Sequence, residues 1–131
     1  MGVGARFREL IESGDVDGIG ELFAEDIVFH SPITFHPFLG RETVARLIGQ
    51  VAQVFEDFRY TDELEGDGTH ALIFRASVAG RDLEGIDLLR FDAQGLIVDF
   101  TVLVRPMSGL VPFAEAMAER AAAAGLQTTR S

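Results

Sequence analysis

The sequence predicts an α+β domain in which three N-terminal helices and a C-terminal helix cover a curved antiparallel sheet. Up to residue 55, apolar residues recur mostly at helical spacing, whereas residues 58–105 contain four runs with strand-like alternation. Turns of only a few residues join these runs, and such short connections are possible between antiparallel strands alone. Helices that precede a meander gather on one face of the sheet, so we expect a cone-shaped roll.

The helices are predicted from apolar residues three and four positions apart. The first helix is expected to end at about Ser13, because Gly14 suits the left-handed conformation that closes many helices. A second helix is expected to begin at Asp15 and to include Phe23. A third is expected over residues 41–55, with its apolar positions on one stripe.

Five strands and a final helix are predicted in the remainder. Residues 27–30 form a short first strand, and Pro32 indicates that a loop or an edge segment follows. The four strands of the meander are expected over residues 58–65, 70–79, 83–92 and 96–105. The last helix is expected near residues 111–123, because Pro112 is tolerated only in the first turn of a helix.

Composition and charge exclude several classes of function. The net charge is −10 and all 11 basic residues are arginine, so an acidic surface without a basic cluster argues against nucleic-acid binding. The absence of cysteine excludes disulfides, thiolate zinc sites and a cysteine nucleophile. The sequence has no membrane-length apolar run and no signal-peptide core. We therefore expect residues 1–131 to form a single soluble, cytoplasmic domain with no membrane partner.

Two segments resemble the nuclear-transport-factor-2-like superfamily. They are ESGDVDGIGELFAEDIVFHSP, a helix leading into a strand that ends near a proline, and GIDLLRFDAQGLIVDFTVLVRP, similar to the last two strands of the family. The resemblance covers about residues 3–105 and is nearest to the SnoaL-like, ketosteroid-isomerase-related branch. It implies a curved-sheet cone with a deep pocket and, usually, a homodimer formed through the outer face of the sheet.

Asp87 is the strongest candidate for a functional residue. Strand alternation places it on one face with Gly85, Leu89 and Phe91. A carboxyl group among apolar neighbours tends to be protonated or to find a partner. The resemblance implies that ketosteroid isomerases place a neutral, hydrogen-bond-donating aspartic acid at this position. The alternative is that Asp87 faces solvent or pairs with an arginine such as Arg75.

The other positions of the isomerase pattern differ in this chain. The general-base aspartate of the family belongs just before Pro32, where this sequence has Ser31, and serine is a poor base without a partner. The tyrosine of the first helix aligns with Phe7, which has no hydroxyl group. The last strand should turn Phe100 and Val102 inward, so the aspartate of the epoxide-hydrolase pattern is missing as well.

His30 and His36 are candidate catalytic residues, because imidazole titrates near neutral pH and could replace the missing base. His36 lies in the predicted loop, at the expected mouth of the pocket. Strict alternation sends His30 outward if Ser31 points inward. His70 follows a turn and is interpreted as a surface residue. We expect no metal site, because His30 and His36 lack the spacing that directs two rings at one ion.

Two functions remain open. The first is a cofactor-free isomerase, cyclase or dehydratase that acts on a small apolar molecule, cyclic or carbonyl-containing, with Asp87 as acid or hydrogen-bond donor. The second is a noncatalytic ligand-binding or dimeric assembly module, which the missing base and tyrosine favour. The residues expected to contact the ligand are Phe7, Ser31, Phe55, Phe58, Phe91, Phe100 and Val102. The residues expected to face a partner subunit are Ile86, Leu88, Arg90, Asp99, Thr101, Leu103 and Arg105.

Overall fold

The computed structural model describes residues 2–123 and has the predicted α+β architecture. Its first half comprises α1 (Val3–Ser13), a 3₁₀ helix (Val16–Leu22), β1 (Phe23–His30), β2 (Phe38–Leu39) and α2 (Arg41–Val54). Its second half comprises β3 (Glu56–Gly66), β4 (Thr69–Val78), β5 (Arg81–Phe91), β6 (Ile97–Arg105) and α3 (Met107–Ala123). The fold class is thus confirmed, and the other residues of the expected 1–131 domain lie outside the described range.

The sheet is curved and unclosed, with the strand order β2-β1-β6-β5-β4-β3. Strands β3 to β6 pair antiparallel with their sequence neighbours, as the short turns predicted. The sheet is nevertheless mixed, because β1 pairs parallel with β6. This pairing brings distant parts of the sequence together, and no local pattern in the chain indicates it. Register shifts in β3 add to the curvature of the sheet.

The second predicted helix is shorter and tighter than expected. It is a 3₁₀ helix that ends at Leu22, and Phe23 begins β1 instead of lying on a helix face. Gly18 and Gly20 both fall within this segment. Because glycine loses more conformational freedom than other residues on entering a helix, a regular α-helix is disfavoured here.

The C-terminal helix α3 begins earlier than predicted. Its first residue is Met107, which places Pro112 inside the helix instead of in the expected first turn. The backbone N–H groups of Gly109 and Leu110 both bond to the carbonyl oxygen of Pro106, at 3.1 and 3.0 Å. The helix therefore starts directly after β6 and folds back over the sheet.

A close approach between Phe74 and Gly85 shapes the inner face of the sheet. The two residues are paired across β4 and β5, and a Cβ atom at position 85 would overlap the ring of Phe74. The same Cβ atom would lie 2.7 Å from the carbonyl oxygen of Leu103. Glycine is therefore required for the Phe74 ring to approach the backbone of β5 this closely. Phe58 stacks on that ring with centroids 5.0 Å apart.

The helices close the cone from one side. Gly14 ends α1 in the left-handed conformation with φ of 78°, as predicted, and its N–H reaches the carbonyl oxygen of Ile11. The apolar stripe of α2 is buried through Val44, Leu47 and Ile48. Within residues 2–123, no helix is both long and apolar enough to cross a membrane.

Candidate ligand-binding site

A cavity of about 150 Å³ lies between the inner face of the sheet and the helices. Its walls are almost entirely apolar. Among the described residues that line it, Tyr60 and Asp87 alone carry polar side chains. Phenylalanine dominates the rest of the wall through Phe29, Phe55, Phe58, Phe100 and Phe113. Such a cavity, mostly apolar with a few converging polar groups, has the usual composition of a small-molecule site.

Tyr60 and Asp87 form a buried hydrogen bond. The Tyr60 hydroxyl group donates to Oδ2 of Asp87 at a distance of 2.8 Å. Alternation along β5 turns Asp87 inward together with Gly85, as predicted. Tyr60 lies on β3, where the ring of Phe58 packs edge-on against it with centroids 5.0 Å apart. Asp87 also lines the cavity, so its carboxyl group can meet a ligand in addition to Tyr60.

Burial controls the proton affinity of both groups. Removal from water raises the pKa of Asp87 from 3.8 to about 7, although the bond from Tyr60 acts in the opposite direction. Burial, followed by the neighbouring Asp87 charge, raises the pKa of Tyr60 well above its ordinary value. Tyr60 therefore keeps its proton, whereas Asp87 can gain or lose one near neutral pH. This lets Asp87 donate a hydrogen bond in one state and accept a proton in the other.

Comparison with known proteins agrees with this architecture. A family model for the SnoaL-like domain matches residues 5–100. The chain belongs to the SnoaL-like domain family. A steroid delta-isomerase from Pseudomonas aeruginosa is 43% identical, with a TM-score of 0.89 over 93% of this chain and 90% of that one. The predicted superfamily and branch are thereby confirmed.

Two further structures resemble this SnoaL-like domain. An uncharacterized protein conserved in bacteria, with a cystatin-like fold, from Silicibacter pomeroyi is 36% identical, with a TM-score of 0.88 over 92% of this chain and 85% of that one. An NTF2-like protein of unknown function from Mesorhizobium loti is 21% identical, with a TM-score of 0.70 over 79% of this chain and 88% of that one. The second likeness concerns the fold alone.

The SnoaL-like domain brings five of the predicted site residues to this cavity. They are Phe55, Phe58, Asp87, Phe100 and Val102. Two other predicted wall residues do not line it. Phe7 is fully buried behind the wall, with its ring edge-on to Phe100 at 5.4 Å, and Phe91 packs against another part of the core. Ser31 lines a second, neighbouring cavity instead.

Neither candidate histidine reaches Asp87. His30 points away from the cavity, and its Nε2 lies 3.2 Å from Oδ2 of Asp99. Strand alternation explains this position, because the adjacent Phe29 turns inward. His36 is exposed in the loop before β2. The structure therefore does not support the expectation that a histidine supplies the base in this pocket.

His70 is buried, and its interpretation as a surface residue is wrong. Its Nε2 lies 2.6 Å from Oε2 of Glu63, and α1 passes closely over its ring at Gly4. Glu63, Glu65 and His70 bring potential metal-ligand atoms within 4.8 Å of one another. Arg8 already contacts Glu63 at 2.6 Å, so that carboxylate has a cationic partner. We interpret this cluster as a structural anchor for α1.

Tyr60 is the site residue that the sequence interpretation missed. The resemblance placed the functional tyrosine in the first helix, so the single tyrosine of the chain received no role. Its spacing of two from Phe58 was a usable signal, because both side chains share the inner face of β3.

Proposed function

We propose that this SnoaL-like protein binds a small apolar molecule that carries one oxygen atom, and that Asp87 holds that oxygen. The observation that carries the proposal is the Tyr60–Asp87 pair in an otherwise apolar wall. A ligand oxygen loses its bonds to water on entering such a cavity, and an unpaired buried polar group costs roughly 1–3 kcal/mol. The Asp87 carboxyl group can replace the lost hydrogen bond, whereas the apolar remainder of the wall favours hydrocarbon groups.

Phenol and toluene provide a matched pair of probes, because they differ by a hydroxyl against a methyl group. We expect phenol to bind more tightly than its greater solubility in water would predict. Replacement Asp87→Leu keeps a side chain of similar size but removes the carboxyl group. It should weaken phenol binding about tenfold, from roughly 1.4 kcal/mol of lost hydrogen bonding, and should not weaken toluene binding. Isothermal calorimetry or ligand-observed NMR measures both affinities.

Asp67 provides the control for this substitution, because it lies exposed in the β3–β4 turn. Asp67→Leu should leave both affinities unchanged. Phenol that binds equally well to wild-type protein and to Asp87→Leu would contradict the proposed role of Asp87.

An isomerase-type reaction is a second candidate function. Two observations favour it: the Asp87 pKa of about 7 and the 43% identity to a protein described as a steroid delta-isomerase. Ionised Asp87 would remove a proton from the carbon beside a ketone, and the electron pair would move towards the carbonyl oxygen. The same carboxylic acid would then return the proton to the far end of the conjugated system. A carboxyl group with a pKa near neutrality suits both steps.

A β,γ-unsaturated cyclic ketone tests this reaction, because its conjugated product absorbs in the ultraviolet. The rate should rise with pH as Asp87 ionises, and Asp87→Asn should abolish it. Phenol binding combined with no conversion of such ketones would favour the noncatalytic binding function over isomerisation.

We also propose that the protein forms a homodimer through the outer face of its sheet. Leu103 supports this, because 55% of its surface is exposed on the outer face of β6. On the same face, Nε2 of His30 lies 3.2 Å from Oδ2 of Asp99, so these two polar groups on β1 and β6 are already paired. An apolar residue beside satisfied polar groups suits a surface that becomes covered.

A further inference from the structure

A second cavity of about 100 Å³ adjoins the first. Four residues line both cavities and form the boundary between them: Phe29, Pro32, Val51 and Phe113. Asp87 and Tyr60 line the first cavity alone. We call the first the ring chamber and the second the tail chamber. The two chambers therefore differ in chemistry, because the ionisable pair lies on one side of the boundary.

The polar side chains of the tail chamber are engaged within their own loop. Oγ of Ser31 accepts the backbone N–H groups of Ile33 and Thr34 at 3.2 and 3.1 Å. The Thr34 hydroxyl donates to the carbonyl oxygen of His36 at 3.3 Å. The other residues that line this chamber are apolar. The tail chamber therefore favours a hydrocarbon group over a polar one.

The size of the ring chamber limits what can occupy it. An engineered apolar cavity of about 150 Å³ in another protein binds benzene, and the ring chamber has a similar volume. One boundary residue, Phe113, stacks on Phe55 with centroids 4.8 Å apart and planes inclined by 9°. Packed aromatic rings resist displacement, so the ring chamber is not expected to enlarge. A longer ligand is therefore expected to extend into the tail chamber, with which the ring chamber shares four lining residues.

We infer that the ligand is a single-ring compound with an oxygen at one end and a short alkyl chain at the other. The oxygen meets Asp87, the ring fills the first chamber, and the alkyl chain passes Phe113 into the tail chamber. This inference rests on the proposed function for the contact between oxygen and Asp87. It adds the substrate class and the direction in which the ligand lies.

A series of 4-alkylphenols tests the inference, from phenol through the ethyl and butyl to the octyl derivative. Each methylene that becomes buried should increase affinity roughly fourfold, the equivalent of about 0.8 kcal/mol. The increase should stop once the tail chamber is full, because further carbons remain in water. Competition against a bound fluorescent probe or calorimetry gives the affinities.

Two alanines allow a matched pair of variants. Ala114 lines the tail chamber only, and Ala52 lines the ring chamber only. Both are on helices, which tolerate leucine well. In Ala114→Leu, the ratio of butylphenol affinity to phenol affinity should fall to near one. In Ala52→Leu, both affinities should fall while that ratio is retained. Thermal unfolding confirms that each variant is folded.

The outcomes separate this inference from the proposed function. If phenol binds in an Asp87-dependent manner but the alkyl chain adds nothing, or Ala114→Leu keeps the full increment, the two-chamber site is overturned and the role of Asp87 stands. If the alkyl increment is sensitive to Ala114→Leu but phenol binding does not depend on Asp87, the proposed contact fails and the tail chamber stands. If no member of the series binds, both the two-chamber site and the proposed role of Asp87 are overturned.

Discussion

Tyr60 and Asp87 are joined by a hydrogen bond of 2.8 Å although strand β4 lies between their own strands. Tyr60 is paired with Phe74 of β4, and Asp87 is paired with Leu72 of the same strand. The bond therefore crosses β4 above the inner face of the sheet. The Tyr60 hydroxyl proton is used in the hydrogen bond to Asp87. Whether the site can donate a proton or accept one therefore depends on the carboxyl group of Asp87 alone.

The raised pKa of Asp87 predicts that the protein loses stability as the pH rises. Between 3.8 and about 7 the folded protein holds a proton on Asp87 that the unfolded chain has released. The stability that Asp87 contributes is therefore fully present below pH 3.8 and is lost as the pH rises through about 7. Between about pH 5 and pH 8 the free energy of unfolding should fall by about 3 kcal/mol from this group, two pKa units at roughly 1.4 kcal/mol each.

Urea denaturation of wild-type protein and of Asp87→Asn measures this contribution. Asparagine does not titrate. The difference in unfolding free energy between the two proteins should therefore change by about 3 kcal/mol between about pH 5 and pH 8. Parallel pH profiles for the two proteins would show that Asp87 is not buried as a neutral acid.

Replacement Tyr60→Phe should raise the pKa of Asp87 further. The hydrogen bond from Tyr60 lowers this pKa, and its loss removes the donor that stabilises the ionised carboxyl group. A ¹³C NMR titration of the Asp87 carboxyl carbon should show a midpoint at higher pH. Thr61→Val, which removes an exposed hydroxyl group from the same strand, should leave the midpoint in place. An unchanged midpoint in Tyr60→Phe would contradict the pairing.

Replacement Gly85→Ala should destabilise the protein by about 1–3 kcal/mol, because its Cβ atom would displace the ring of Phe74. Displacement of that ring also disturbs the stacked Phe58, so phenol binding should weaken. Gly66→Ala is the matched control in a strand, since its Cβ atom would meet nothing closer than 3.9 Å. Guanidinium denaturation should show that Gly85→Ala lowers the free energy of unfolding by more than Gly66→Ala changes it. Equal effects would argue against the close packing of Phe74.

Two helical glycines should respond to alanine in opposite directions. A Cβ atom at Gly4 would overlap the buried ring of His70, so Gly4→Ala should destabilise the protein. Gly49 in α2 has open space around it, so Gly49→Ala should stabilise the protein by about 0.5–1 kcal/mol through helix propensity. Thermal unfolding distinguishes the two. Stabilisation by Gly4→Ala would contradict the interpretation of His70 as an anchor for α1.

Replacement Leu103→Arg should disrupt the proposed homodimer, because it introduces a charge into an apolar position of the outer sheet face. Sedimentation equilibrium should show a monomer for this variant and a dimer for the wild-type protein. Val111→Arg is the control, because Val111 is similarly exposed but lies on α3. A monomeric wild-type protein would overturn the proposal, as would a Leu103→Arg variant that remains dimeric.

The sequence alone predicted the meander of four strands and the inward orientation of Asp87. Both depend on local properties, namely the alternation of side chains along a strand and the turn residues between strands. Alternation also predicted that His30 would face outward if Ser31 pointed into the pocket. His30 does face outward and contacts Asp99, whereas Ser31 lines the neighbouring cavity. Where two glycines weakened the helical pattern, at Gly18 and Gly20, the sequence prediction was less accurate.

The tertiary structure decided which residues meet at the cavity. Tyr60 precedes Asp87 by 27 positions and lies two strands away, so their contact depends on the register and curvature of the whole sheet. The same is true of Phe7, which is as apolar as the true wall residues but lies behind Phe100. The sequence by itself determined that a carboxyl group shares one face of a strand with apolar residues. The packing of distant strands determined that a tyrosine, and not a histidine, is its partner.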